Sequence, residues 1–337
     1  MNYDVLKEYT DALSPSGCEG NIRDVIKSKV QNFGDIVVDS MGNLMVHKKG
    51  SGKRVMIAAH MDEVGFIVTS ICKDGRIKFG TVGGIDPRIL VSKRVVFVKN
   101  NLLGVIGVKP IHLQDREERG KPIPKKDLFI DIGATSKEEA EKYVKLGDFA
   151  AFESEYIDLG ETIKAKALDD RIGCFLLTKL LKDDYDFDLY GAFTAQEEVG
   201  SRGAGVAAYR IKPDVAIAIE GTTCADIAKD EKDFVTTLGD GPAISLMDRT
   251  SSASGKLLKM IINTAEENKI PYQFRRGIVG GNDAGRISRA REGCLTCTIS
   301  VPTRYIHSPI SMIKKKDFEN TLKLIKLVLK NIEKGEF

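Results

Sequence analysis

No run of this chain approaches the roughly 18 apolar residues that a membrane span needs, so the sequence gives no ground for a membrane-embedded protein. Charge of one sign is also missing. The 51 basic and 48 acidic residues leave a formal net charge of +3, which argues against a nucleic-acid or strongly basic membrane-binding face. The opening Met-Asn-Tyr-Asp-Val-Leu-Lys lacks the basic segment, apolar run and small-residue cleavage site of a secretion signal. The expectation is a cytoplasmic protein. Six cysteines in 337 residues are too sparse for a disulfide framework. Cys294 and Cys297 form a C-x-x-C, which suits a redox pair or half a zinc site. They lie, however, in Cys-Leu-Thr-Cys-Thr-Ile-Ser-Val, which reads as a core strand, and no second C-x-x-C exists.

What is present is enough apolar material, 42% of the residues, for one large domain or two smaller ones. Residues 2–12 and 19–31 read as helices separated by the turn Ser14-Pro-Ser-Gly17, and 35–39 with 43–47 read as a hairpin. From about 66 to 157 the texture changes to short β-branched runs at 66–72, 76–79, 94–98, 104–108, 129–132 and 149–152, with one helix expected over 136–146. The charged, proline-containing stretch 114–126 reads as an exposed, mobile loop. After 160, helix and strand alternate again. Helices are expected at 170–182, 203–209, 253–268, 285–291 and 314–334, and strands at 189–195, 214–219, 272–275 and 295–301. The fold class expected is therefore α/β, a domain built from 1–65 and 158–337 with a β-rich insert over 66–157.

Five places carry groups suited to chemistry. Arg54-Val-Met-Ile-Ala-Ala-His60 is an apolar run ending in an imidazole, with Asp62 two residues on. Residues two apart in an extended segment share a side, so Asp62 can orient the His60 ring. Asp169 and Asp170 stand where a helix begins. Glu197 and Glu198 follow one strand, Glu220 ends another, and His307 lies just past the last. Each has an ordinary structural reading: a hydrogen-bonded histidine, acids at a helix start, a solvated glutamate loop. The set shifts the balance, because ligand sites in open α/β sheets gather beyond the carboxyl ends of the strands. Two of only four histidines fall there. Two histidines, two terminal carboxylates and one shared carboxylate would give each of two divalent ions one nitrogen and two oxygens, with positions open for water and substrate.

The motifs Ala-Ala-His60-Met-Asp62-Glu63-Val-Gly65, Ala-Leu-Asp169-Asp170-Arg171-Ile-Gly173, Gln-Glu197-Glu198-Val-Gly-Ser-Arg202, Ile-Glu220-Gly-Thr, Gly280-Gly-Asn-Asp283-Ala and Pro-Thr-Arg-Tyr-Ile-His307-Ser-Pro309 resemble those of the M42 metalloaminopeptidases, the tetrahedral-aminopeptidase group that includes glutamyl aminopeptidases and proteins often labelled endoglucanase. The resemblance implies a mixed-sheet α/β/α domain of the zinc-exopeptidase type with an inserted β-rich dimerisation domain. It implies His60, Asp169 and Glu220 on one ion and Asp169, Glu198 and His307 on the other; the mixed nitrogen and oxygen donors suit zinc or cobalt at both positions, with manganese compatible. It further implies Glu197 as general base and acid, Asp62 orienting His60, and a cis peptide between Asp169 and Asp170. The activity implied is removal of N-terminal residues from short peptides by dimers that assemble into hollow tetrahedral dodecamers, where the 112–127 loop would reach a neighbouring subunit's site. Two departures stand out: Glu220 where many members have aspartate, and Asn282 where threonine is common. The rival readings are an aminoacylase or carboxypeptidase on the same metal scaffold, or an assembly that binds peptides without turning them over. A glycosidase would leave both histidines unexplained. The preferred first residue stays open, with Asp283 and Arg304 as groups able to favour either charge.

Overall fold

A computed structural model of the chain describes residues 2–227, 230 and 234–335, with only the backbone at Glu118. Helices α1 (Asp4–Asp11) and α2 (Gly20–Val30) open it, followed by strands β1 (Asp35–Val38), β2 (Leu44–Lys48) and β3 (Arg54–His60). Next come β4 (Gly65–Ile71), β5 (Ile77–Val82), β6 (Arg94–Phe97), β7 (Leu103–Gly107), α3 (Arg116–Arg119), β8 (Phe129–Asp131), α4 (Lys137–Ala140) and β9 (Phe149–Phe152). The remainder runs β10 (Ile157–Asp158), β11 (Thr162–Ala165), α5 (Leu168–Leu180), β12 (Asp188–Thr194), α6 (Arg202–Ile211), β13 (Val215–Thr223) and β14 (Ala243–Ser245). It closes with α7 (Gly255–Glu267), β15 (Gln273–Arg275), α8 (Ala284–Ile287), β16 (Leu295–Thr303), β17 (Ser311–Lys314) and α9 (Lys315–Glu333).

The large sheet has eight strands in the order β1-β2-β12-β3-β13-β16-β14-β15. Its centre, β12-β3-β13-β16, is parallel, flanked by β2 and β14 running the other way. The residue pattern explains why both faces are covered. On β3, Val55, Ile57 and Ala59 join one apolar cluster while Met56 and Ala58 join another. Helices α1, α2, α5, α7 and α9 supply the first cluster. On the second face, small residues on both sides (Ala58, Ala192 and Ala216 against Ala204, Ala207 and Ala208 of α6) let the helix lie close. A mixed α/β/α sandwich results, as the alternation of runs after 160 indicated.

Strands β4-β5-β8-β7-β6-β9 close into a barrel with its own apolar core, in which Phe66 meets Phe152 edge-on at 4.9 Å. A small sheet, β10-β11-β17, lies apart from both. Its strands carry too few residues for a period of two to register, which is why sequence reading passed over them and over β14. The expected helix over 136–146 shrinks to Lys137–Ala140, capped by Ser136, whose hydroxyl accepts from the Glu139 N–H at 3.2 Å. Only Ala140 and Val144 of that stretch are buried, and Gly147, at φ +82°, turns the chain into β9. C-x-x-C spans the start of β16: Cys297 is buried in the strand, and all six cysteines are free.

The core of the first cluster is tied by rings. Phe175 on α5 is fully buried, stacks on Phe318 at 5.0 Å and meets Tyr9 edge-on at 6.5 Å. Phe175→Ala is expected to cost about 3–5 kcal/mol in urea denaturation, whereas a loss below about 1 kcal/mol would mean that this ring stack is not what joins α1, α5 and α9. Among the described residues no helix is long and apolar enough to cross a membrane.

Candidate active site

The parallel strands bring their carboxyl ends to one edge of the sheet, and the chemistry-bearing residues sit there. His60 is the last residue of β3, level with Thr194 on β12. Gln196 immediately turns left-handed, at φ +57°, and swings Glu197 and Glu198 over that edge. Glu220 pairs with Ser300 on the neighbouring β16. Strand β13 runs past the expected 214–219, to Thr223, because β16 pairs with it as far as Thr303. His307 follows β16 in a tight turn where both it and Tyr305 have positive φ, +58° and +61°. Such conformations cost of order 1–3 kcal/mol each in non-glycine residues and cluster at functional sites.

The side chains converge. His60 Nε2 lies 3.3 Å from Asp169 Oδ1 and 3.6 Å from Glu220 Oε2. His307 Nε2 lies 3.3 Å from Glu198 Oε2 and 3.6 Å from Asp169 Oδ2. Asp169 therefore turns one oxygen to each imidazole. The Asp169–Asp170 peptide is cis. Asp170 also comes close to His60 and Glu220, but its oxygens are engaged by the backbone N–H groups of His60, at 3.2 Å, and Gly173, at 3.0 Å. It holds the start of α5 against β3.

Asp62 does more than was expected of it. Its carboxylate accepts from the backbone N–H groups of Glu197 (2.9 Å) and Glu198 (3.1 Å) and from the Ser16 hydroxyl (2.5 Å). The His60 ring meets the Asp62 carbonyl oxygen at 3.2 Å and the carboxylate only at 3.5 Å. Asp62 thus fixes the glutamate loop with its side chain and the imidazole chiefly with its backbone. The other imidazole is oriented from the barrel side: His307 Nδ1 lies 2.9 Å from the Gly84 carbonyl oxygen. Ser201 donates its hydroxyl to Glu197 Oε1 at 2.8 Å. Nothing local in the sequence marks Gly84 or Ser16, which enter the site only through folding; Ser201, four residues after Glu197, was in plain view.

Seven carboxyl groups (Asp62, Asp169, Asp170, Glu197, Glu198, Glu220 and Asp283) crowd two imidazoles here, and the protonation pattern reflects it. Burial, with His307 and His60 beside it more than compensating, leaves Asp169 at about 2. Burial pushes Glu197 up to about 8 and Glu198 to about 7, and drives Glu220 and Asp170 well above the carboxylate range. Burial would lower His60, yet contacts with Asp169 and Asp62 carry it well above its usual value. His307 rises to about 9 in the same way, through Asp169 and Glu198. A protein this rich in buried acid must hold protons or cations to balance it. Among the described residues Glu220 Oε1 is buried without a hydrogen-bond partner, and the donors are the oxygen and imidazole mix that divalent ions of the zinc series take. The residues fit a cationic occupant.

The site opens into a cavity of about 660 Å³. Arg304 grips Asp226 with two contacts of 2.7 Å, whereas Asp283 accepts from Thr194 at 2.5 Å through Oδ2 while its buried Oδ1 has no hydrogen-bond partner among the described residues. Asn282 ties the substrate-side loop, donating to Asp248 at 3.1 Å and accepting from the Ala284 N–H at 2.9 Å.

The M42 glutamyl aminopeptidase family model matches residues 42–324. This chain belongs to the M42 aminopeptidase family. Lysyl aminopeptidase of Pyrococcus furiosus is 33% identical over 347 residues, covering 100% of this chain and 99% of that one. A TET aminopeptidase from a marine-sediment Thaumarchaeota archaeon superposes with a TM-score of 0.94 at 37% identity, over 98% of this chain and 97% of its own. The TET1 peptidase of Pyrococcus horikoshii, described as able to assemble into a tetrahedron or a large octahedral shell, matches with a TM-score of 0.87 at 37% identity, over 97% and 98%. As an M42 aminopeptidase the chain is a hydrolase acting at N-termini, and its mixed α/β architecture is the one its relatives share.

Proposed function

We propose that this chain is a two-metal aminopeptidase that releases N-terminal residues from short peptides, with 1–65 and 158–337 as catalytic domain and 66–157 as a dimerisation insert. What carries the proposal is the pair of imidazoles facing the two oxygens of Asp169 at 3.3 and 3.6 Å. His60, Asp169 and Glu220 would hold one divalent cation, and Asp169, Glu198 and His307 the other. When bound, such cations supply Lewis acidity to the scissile carbonyl and to a water. Zinc and cobalt suit the donors best, and manganese is compatible.

The chain's own residues do the rest. Glu197, with Oε1 held by Ser201, takes a proton from the attacking water and returns it to the departing amine nitrogen. Asp62 keeps that glutamate in place by accepting its backbone N–H. The cavity, about 660 Å³, lies in the range of small-ligand sites and suits a few residues of an extended peptide. The dodecamer and tetrahedron named for two relatives support assembly of this chain into a tetrahedral dodecamer, which we place, with its dimeric building unit, in the cytoplasm as the sequence leads one to expect.

Dialysis against a chelator, checked by elemental analysis, is expected to lower hydrolysis of aminoacyl p-nitroanilides by more than about 100-fold, with recovery on adding zinc, cobalt or manganese. A metal-free protein that keeps its full rate would sink the two-metal reading. N-acylated and C-terminally varied peptides separate the rivals: an aminoacylase would prefer the former, and a carboxypeptidase would respond to the latter.

A further inference from the structure

Resting on the aminopeptidase reading, we infer that Arg275 recognises the side chain of the peptide's first residue and makes this M42 member selective for acidic N-terminal residues. The cavity has two unlike halves. Its floor is the histidine and carboxylate cluster, and outside that cluster its charged lining residues are Asp248, Arg275, Arg286 and Arg289.

Asp248 is spoken for. It is buried, and its two oxygens accept from the N–H and hydroxyl of Thr250, the N–H and hydroxyl of Ser251, and the Asn282 amide, all between 2.6 and 3.1 Å. Arg275 is different. It is half-buried, and its donors meet only neutral acceptors: the Thr222 hydroxyl at 3.1 Å and the carbonyl oxygens of Gly277 and Val279 at 3.1 and 2.8 Å. Among the described residues no carboxylate pairs with its guanidinium. Burial lowers its affinity for the proton, and Asp248 acts on it only at a distance. A guanidinium held by neutral groups in a cavity wall keeps its charge available for a planar anion.

Its position suits the first side chain. Arg275 Nε is bonded to Thr222, which stands two residues beyond Glu220 on the same face of β13. Two residues of strand span about 7 Å, the scale of an amino-acid side chain beside a backbone held over the cluster. Arg286 and Arg289, also in the cavity lining, add positive charge. The lysyl and glutamyl names among the relatives leave the choice open, and this wall decides for the acidic side.

The test is a panel of Glu-, Asp-, Ala-, Leu- and Lys-p-nitroanilides, with calorimetric titration of free L-glutamate and L-lysine as a second readout. The wild type is expected to show kcat/KM for Glu at least about tenfold above Lys and to bind glutamate more tightly than lysine. Arg275→Gln should compress the Glu/Ala ratio by about tenfold or more, Arg275→Lys should retain much of it, and a merely structural loss would lower all substrates together. Wild-type preference for Lys or Leu, or an unchanged Glu/Ala ratio in Arg275→Gln, overturns the assignment. Hydrolysis of none of the panel would overturn the aminopeptidase reading itself, and the inference with it.

Discussion

Glu197→Gln is expected to lower kcat by about 10²–10⁴-fold while the bound cation remains at wild-type stoichiometry. The two halves of that expectation come from different contacts. Glu197 lies beside the cluster without contacting either imidazole, so its loss removes no expected ligand. The amide keeps the length and the Ser201 hydroxyl contact of the carboxylate but cannot accept and return a proton. The backbone N–H bond to Asp62, 2.9 Å, does not involve the side chain and should persist. Steady-state kinetics with elemental analysis check both halves at once. Unchanged kcat would remove Glu197 from its role, and loss of metal with loss of rate would make it a ligand instead. Glu198→Gln provides the contrast, because its carboxylate lies 3.3 Å from His307 Nε2; there, metal content should fall.

The second large effect lies behind the site. Lys166 is buried and donates to both oxygens of Glu63 at 2.7 Å, while the Ser14 N–H donates to the same carboxylate at 2.9 Å. Arg171, fully buried, stands 3.4 Å from Glu63 and also donates to the carbonyl oxygens of Tyr9 and Ala12. This network binds three segments, the α1–α2 turn, the loop after His60 and the approach to Asp169. Lys166→Met leaves the buried Glu63 carboxylate with its weaker partners and is expected to cost about 3–5 kcal/mol in urea denaturation. Adding Glu63→Leu should recover part of the loss, since removing both charges spares the unpaired one its desolvation. A single-variant cost below about 1 kcal/mol, or a double variant worse than the sum, would show that the pair does not hold these segments together. Because Glu63 neighbours Asp62, and Lys166 lies three residues before Asp169, kcat should fall in Lys166→Met well below what the stability loss explains.

Sequence and structure meet unevenly. The six runs of 66–157 were legible because each is a short β-branched or aromatic stretch bounded by turn formers, and all six became strands of one barrel. The expected helix at 136–146 shrank to Lys137–Ala140 because only Ala140 and Val144 of that stretch found a core. Strands β11, β14 and β17 were invisible because three or four residues carry no periodicity of their own; they exist as partners to other strands. Asp170 illustrates the opposite case. It stands beside Asp169 in sequence, yet the backbone N–H groups of His60 and Gly173 take up its carboxylate and leave that of Asp169 facing the imidazoles.

What the chain determines by itself is which groups end which runs: His60, Glu197 with Glu198, Glu220 and His307 each follow an apolar stretch, and hydrophobic burial drives those stretches into one sheet whatever the loops do. Only the tertiary structure decided which of the acids face one another, that Asp62 restrains a loop as well as a ring, that Gly84 orients His307, and that among the described residues Arg275 has no carboxylate partner while Arg304 has one. Those outcomes depend on distances between segments up to hundreds of residues apart, and a hydrogen bond or an ion pair is decided within an ångström, a precision that local patterning in sequence does not carry.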